Sequence, residues 1–175
     1  DRLHTFILQG ARDLQRDLKA RGIGSIFHLQ RATDRRPHLL ELAKDAALVV
    51  VDFMPVQPML KWDEQVAAVA PLWRVDASCL APVWAFPRPM DRAFVFRKAA
   101  EPLWKTRLTA PWVDVEPSHP PFVPEFDSLD LQAADLPGLV AGCDIDHTVG
   151  PVHHTKGGTD AGLARWLRYR DSTLD

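Results

Sequence analysis

The stretch Ala46-Ala47-Leu48-Val49-Val50-Val51-Asp52-Phe53-Met54-Pro55 constrains the fold more than any other part of the chain. It is apolar and β-branched, with no polar residue before Asp52. An apolar run without alternation predicts a strand covered on both faces, as in a parallel sheet. Pro55 cannot donate to a ladder and pulls Met54 from helical angles, so the strand is expected to end near Phe53. Asp52 then falls at the strand's carboxyl end, where open α/β sheets hold ligands.

The flanking segments fit that frame. Leu3, Ile7, Ala11, Leu14 and Leu18 recur at steps of three and four, which predicts a helix over residues 2–20 with that stripe turned inward. Gly22 is its expected left-handed stop. Residues 23–29 read as a short strand, in which His28 is expected to be a hydrogen-bonded core or strand-end residue rather than a ligand. Thr33 or Asp34 is a candidate cap for a second helix, with Pro37 in its first turn and Leu39, Leu40, Leu42 and Ala43 toward the core. Met59, Trp62, Val66 and Val69 mark a third helix, and Leu72–Asp76 a further strand that again closes on an aspartate. Helix and strand alternate, which predicts a doubly wound parallel sheet with helices on both faces.

Beyond residue 80 the pattern loosens. Residues 82–87 read as an extended connector, and 92–108 as a helix that Pro102 should kink or break. Its Arg92, Arg97, Lys98, Lys105 and Arg107 could track phosphates, though a solvated face is the default reading. From 110 to 151, prolines at 111, 117, 120, 121, 124 and 137 forbid long regular elements and suggest a linker or an applied arm. Gly157-Gly158-Thr159-Asp160 should cap a final helix through Leu163, Trp166, Leu167 and Tyr169.

Over 175 residues the net charge is −2, so no overall basic field draws the chain to nucleic acid or an anionic membrane. Two cysteines, Cys79 and Cys143, are too few for a disulfide framework and suit a cytoplasmic protein. No run reaches membrane-span length, so no membrane partner is expected, and a monomer is. The chain does not begin with Met, and a piece of a longer protein is expected.

Several stretches invite chemistry. Cys143-Asp144-Ile145-Asp146-His147-Thr148 has the Asp-x-Asp-x-Thr form of a haloacid-dehalogenase-type nucleophile loop, but little chain follows to build that fold. Cys143, Asp144, Asp146, His147, His153 and His154 suggest a metal, at a spacing that matches no standard zinc pattern. There is no Gly-rich phosphate loop and no nucleophile elbow. Asp52 and Asp76 could bind a hydroxylated or nitrogenous ligand at one sheet edge, or serve as helix caps.

In order along the chain, Phe6-Ile7-Leu8-Gln9-Gly10, Val50-Val51-Asp52-Phe53-Met54-Pro55 and Val75-Asp76-Ala77-Ser78-Cys79-Leu80-Ala81-Pro82-Val83-Trp84 resemble the N-terminal α/β domain of class II cyclobutane pyrimidine dimer photolyases. The last is similar to that family's Val-Asp-Ala-His-Asn-Val-Val-Pro-Val-Trp. Residues 93–108 stand where the family has a Tyr-x-Ala-Arg-Thr-type helix. Ile145–Val152 and Gly157-Gly158-Thr159-Asp160-Ala161-Gly162-Leu163-Ala164-Arg165-Trp166 resemble the junction into its helical flavin-binding domain.

The resemblance implies a Rossmann-like α/β domain over 1–108, a Pro-rich interdomain linker over 109–156 and the start of the helical FAD-binding domain at 157–175. It also implies that the sheet lacks its first two strands, with 23–29 as the third and 47–53 as the fourth. The implied activity is light-driven electron transfer from FAD to a flipped-out dimer in UV-damaged DNA. The flavin pocket and most DNA contacts are then expected beyond Asp175, and catalytic residues and metal ligands are expected elsewhere or not at all. Asp52, Met54 and Asp76 become candidates for the edge of an antenna chromophore of the deazaflavin or folate type. A cryptochrome-like photoreceptor and a non-catalytic nucleotide- or small-ligand-binding α/β module are the alternatives.

Overall fold

The structure, a computed structural model, describes residues 1–30, 35–110, 113–117, 123 and 127–173. Its elements in chain order are α1 (Arg2–Ala20), α2 (His38–Ala43), β1 (Val49–Asp52), α3 (Met59–Ala67), β2 (Leu72–Val75), a 3-10 turn (Val83–Ala85), α4 (Ala93–Thr109), α5 (Leu136–Ala141) and α6 (Thr159–Thr173). They fall into two compact units, residues 1–35 with 115–175, and residues 36–114.

In the first unit α1 is built as its periodicity predicts, and Gly22 closes it at φ 68°. The face it buries is a different one. Leu8 is buried, while Leu3, Ile7 and Leu14 of the expected stripe are exposed. Leu8 packs with Leu131, Leu136 and Val140 in a small core flanked by Ala11, Phe27 and Leu129.

Polar side chains next to Leu8 explain the rotation. Arg12 Nε donates to Leu131 O at 2.6 Å and its Nη2 to Ala134 O at 2.6 Å. Gln15 Nε2 donates to Leu129 O at 2.9 Å, and Gln15 Oε1 accepts the Leu131 N–H at 2.8 Å. These bonds satisfy turn backbone that burial would otherwise leave unpaired. They fold residues 129–134 onto α1, so this part of the Pro-rich stretch is packed. Pro137 stands in the first turn of α5, where its missing N–H costs nothing.

Residues 23–29 do not form the expected strand. They run without regular structure, and the Phe27 backbone bonds to Leu129 N–H at 2.8 Å and to Ser128 Oγ at 3.0 Å. Among the described residues these two bonds do not extend into a ladder. His28 is exposed rather than in a core. Thr33 and Asp34, the expected caps of the second helix, lie outside the described residues.

The second unit holds the sheet. β1 and β2 pair in parallel, with Val49 opposite Leu72 and Asp52 opposite Val75. The connection through α3 is the one parallel neighbours require. Ala43, Val66 and Ala70 form the core, with Leu40, Val49 and Leu72 against it. The carboxylate of Asp63, only 8% exposed, takes Arg74 Nε at 2.8 Å and ties α3 to β2.

The fold is therefore mixed α/β, and the described residues hold a two-stranded parallel sheet in place of the expected doubly wound one. Burial along β1 alternates, with Val50 56% exposed, and on β2 the neighbouring Trp73 is 66% exposed. The apolar run lacks alternation because it has apolar side chains for both faces. In the described residues α2 and α3 cover only one. α4 runs as one element with Pro102 inside it, so of the kink or break expected there the helix is not broken, and only Ala100 of this helix is buried. The expected extended connector at 82–87 instead contains the 3-10 turn.

Candidate functional site

The parallel pair places Asp52 and the start of the next loop side by side at its carboxyl edge. Asp52 Oδ1 accepts the Ala77 N–H at 3.2 Å. Asp76 does more. Its Oδ1 accepts the N–H groups of Ser78 at 3.2 Å and Cys79 at 2.9 Å, and its Oδ2 accepts that of Val83 at 3.2 Å. An aspartate that takes backbone donors two, three and seven residues on closes the whole 76–83 loop around itself. The loop delivers Trp84 against Phe53 of the first strand's end, ring centroids 5.9 Å apart and edge-on.

Partial desolvation pushes the Asp76 carboxyl up, but the N–H bonds from Val83, Cys79 and Ser78 outweigh it and hold the group below its ordinary value. Cys79 moves the other way. Desolvation and the charges of Asp76 and Asp52 push its thiol up, so it stays protonated and is a poor nucleophile. Neither aspartate caps a helix; their hydrogen bonds run to loop backbone. They are loop-closing residues, and Met54 beside them is exposed. A deazaflavin or folate needs an apolar enclosure, and Asp52, Met54 and Asp76 do not make one by themselves.

The 143–149 motif is also taken up by folding. Asp144 is paired with Arg35 at 2.9 Å, and Asp146 Oδ1 accepts the Thr148 N–H at 2.8 Å. Thr148, through hydroxyl and amide, lowers the Asp146 carboxyl against the opposing effect of desolvation. His147 reaches Asp1 Oδ1 at 2.6 Å and Cys143 O at 3.1 Å. The two aspartates thus have separate structural partners rather than one phosphorus-sized focus. Among the described residues no group of three or more His, Cys, Asp or Glu side chains could hold a metal ion.

On α4, Glu101 binds Lys105 at 2.5 Å, and the ammonium lowers the Glu101 carboxyl. The concavity of about 440 Å³ bounded by Arg97, Lys98 and Lys105 includes that Glu101. This breaks up the basic face. Among the described residues no helix is long and apolar enough to cross a membrane.

The Gly157-Gly158 stretch is a close-packed joint between α6 and α1. Gln9 Oε1 accepts the Gly157 N–H at 2.7 Å, and Asp13 Oδ2 accepts that of Asp160 at 3.3 Å. Arg16 grips the Asp160 carboxylate with two bonds, 2.8 and 3.0 Å, which raise the guanidinium further above its ordinary value. A Cβ on Gly157 would run into the Phe6 carbonyl, and one on Gly158, at φ 107°, into the Asp13 carboxylate. Sequence reading placed a helix cap at Thr159 or Asp160. It missed Gln9, Asp13 and Arg16, which look like ordinary solvated charges and amides on the outside of α1. Their spacing at i, i+4 and i+7 was the available signal. No protein-family model matches the chain, and no curated protein matches it.

Proposed function

We propose that this chain is the N-terminal part of a class II photolyase-like flavoprotein that splits cyclobutane pyrimidine dimers in UV-damaged DNA with light. The observation that carries the reading is the loop closed by Asp76. Residues of the Val-Asp-Ala…Pro-Val-Trp resemblance are spread over ten positions, and in the fold Asp76 binds the Val83 N–H while Trp84 packs on Phe53. A motif whose members act on one another is better support than a string of identities. The Gly-Gly joint adds to it, since the second specific stretch is where α6 seats closely on α1.

In this reading the chain's role is structural. The 76–84 loop shapes the sheet edge, and α6 is the first helix of the flavin-binding region. FAD would supply the light-driven electron to the dimer. In this reading no step is assigned to the described residues. A non-catalytic ligand-binding α/β module is the competing reading, favoured by the parallel pair with aspartates at its carboxyl edge.

The two readings part in one spectrum. The protein expressed from the whole reading frame that contains this chain is expected to co-purify with flavin absorbance. A flavin-free protein that binds a nucleotide or other small ligand would favour the module.

A further inference from the structure

Two walls border an open concavity of about 570 Å³ in the first unit. One wall is the loop His153-His154-Thr155-Lys156, and the other is a single face of α6. Ala161, Arg165, Arg168 and Ser172 follow at steps of four, three and four, so they stack along one side of the helix. Ala161 is the smallest of these side chains and leaves the space open. Lys156, Arg165 and Arg168 bring three cations to it, and the Tyr169 hydroxyl adds a donor.

The pairing pattern distinguishes these cations from their neighbours. Arg170, on the same helix but outside the concavity, binds Asp171 at 2.7 Å, and Arg16 binds Asp160 at 2.8 Å. Among the described residues no carboxylate pairs with Lys156, Arg165 or Arg168, though the chain as a whole carries a net charge of −2. Like charges drawn together without counter-charge repel, and an anion relieves that repulsion.

We propose that this concavity binds the phosphoryl group of a small phosphate ester or diphosphate of nucleotide size. Guanidinium forks match phosphate oxygens in pairs, and an ammonium adds a point charge. The volume exceeds what one phosphate needs and falls within the range of small-molecule sites. A nucleic-acid backbone would call for a basic track along a surface, whereas these cations line one hollow. The inference stands on these residues alone and does not depend on the photolyase reading.

The test titrates the 175-residue chain calorimetrically, at fixed salt, with inorganic pyrophosphate, with ADP and with a short DNA duplex. Saturable one-to-one binding of pyrophosphate or ADP is expected. ADP binding more tightly than pyrophosphate would show that the nucleoside is read as well. Arg165→Gln with Arg168→Gln should weaken binding at least tenfold, and Arg170→Gln should leave it unchanged. Lys156→Gln, on the loop, gives an independent loss if the helix variant misfolds by circular dichroism. Three results would overturn the proposal: no saturable binding of pyrophosphate or ADP, equal weakening by Arg170→Gln, or duplex binding that displaces ADP and is tighter than it.

Discussion

Gly157→Ala and Gly162→Ala are the same chemical change five residues apart, and they should act in opposite directions. At Gly157 the new methyl meets the backbone carbonyl of Phe6, and a helix backbone cannot swing away as a side-chain tip can. Relief requires the 157–160 segment to lift, which stretches the Gln9–Gly157 bond of 2.7 Å. Overpacking of this kind costs about 1–3 kcal/mol and a partly buried hydrogen bond about 1 kcal/mol, so the joint should lose roughly 2–4 kcal/mol. Gly162 has nothing within 4 Å of a built Cβ beyond its own helix. There alanine should stabilise α6 by about 0.8–1 kcal/mol through helix propensity alone. Hydrogen–deuterium exchange of peptides covering 159–173 reads both. Gly157→Ala should lower protection at least tenfold, and Gly162→Ala should raise it by about four- to fivefold. If Gly157→Ala stays within twofold of the parent, α6 is not seated on α1 through this glycine.

Other consequences follow from the same contacts. Asp76 sits below its ordinary value when folded, so its stabilisation is complete above the unfolded value and is lost as pH falls through the folded one. Exchange protection of the Cys79 and Val83 amides should therefore hold at neutral pH and fall below the ordinary aspartate range, and Asp76→Asn should abolish that acid dependence. Cys79 should react with iodoacetamide at pH 8 more slowly than a free thiol despite its exposure, because its pKa is raised. Arg74→Ala should destabilise the second unit by about 1–3 kcal/mol in urea titrations. It strands the buried Asp63 carboxylate, and Arg74's own exposure keeps the loss below that of a fully buried pair. Arg12→Lys cannot span both carbonyls that Arg12 holds, and should raise proteolytic nicking in 127–134 several-fold.

The sequence made some levels of this fold legible and hid others for identifiable reasons. Helix α1, its glycine stop, β1, α3, β2 and the start of α6 follow local rules of periodicity, propensity and termination, and all appear close to their expected bounds. What failed was tertiary. Which face of α1 is buried depends on Arg12 and Gln15 meeting turn carbonyls more than 110 residues away, and no local pattern encodes that pairing. Residues 23–29 have strand-like composition, but among the described residues they meet only Ser128 and Leu129, so propensity found no strand to ladder against. Val50 and Trp73 remain exposed because a strand's apolarity states what it could bury, not what arrives to cover it. At the sheet edge the aspartates were found by position, and their work was not. Asp76 binds N–H groups along its own loop, a role that an Asp followed by Ala-Ser-Cys shares with many turn residues.

Light-dependent repair is the most direct test of the proposed function. The protein expressed from the whole reading frame containing this chain, reconstituted with FAD, is mixed with DNA carrying cyclobutane pyrimidine dimers and split between blue light and darkness. Dimers counted by a dimer-specific endonuclease should disappear in the illuminated sample and persist in the dark one. Equal dimer content in both, with the flavin bound, would contradict the repair assignment.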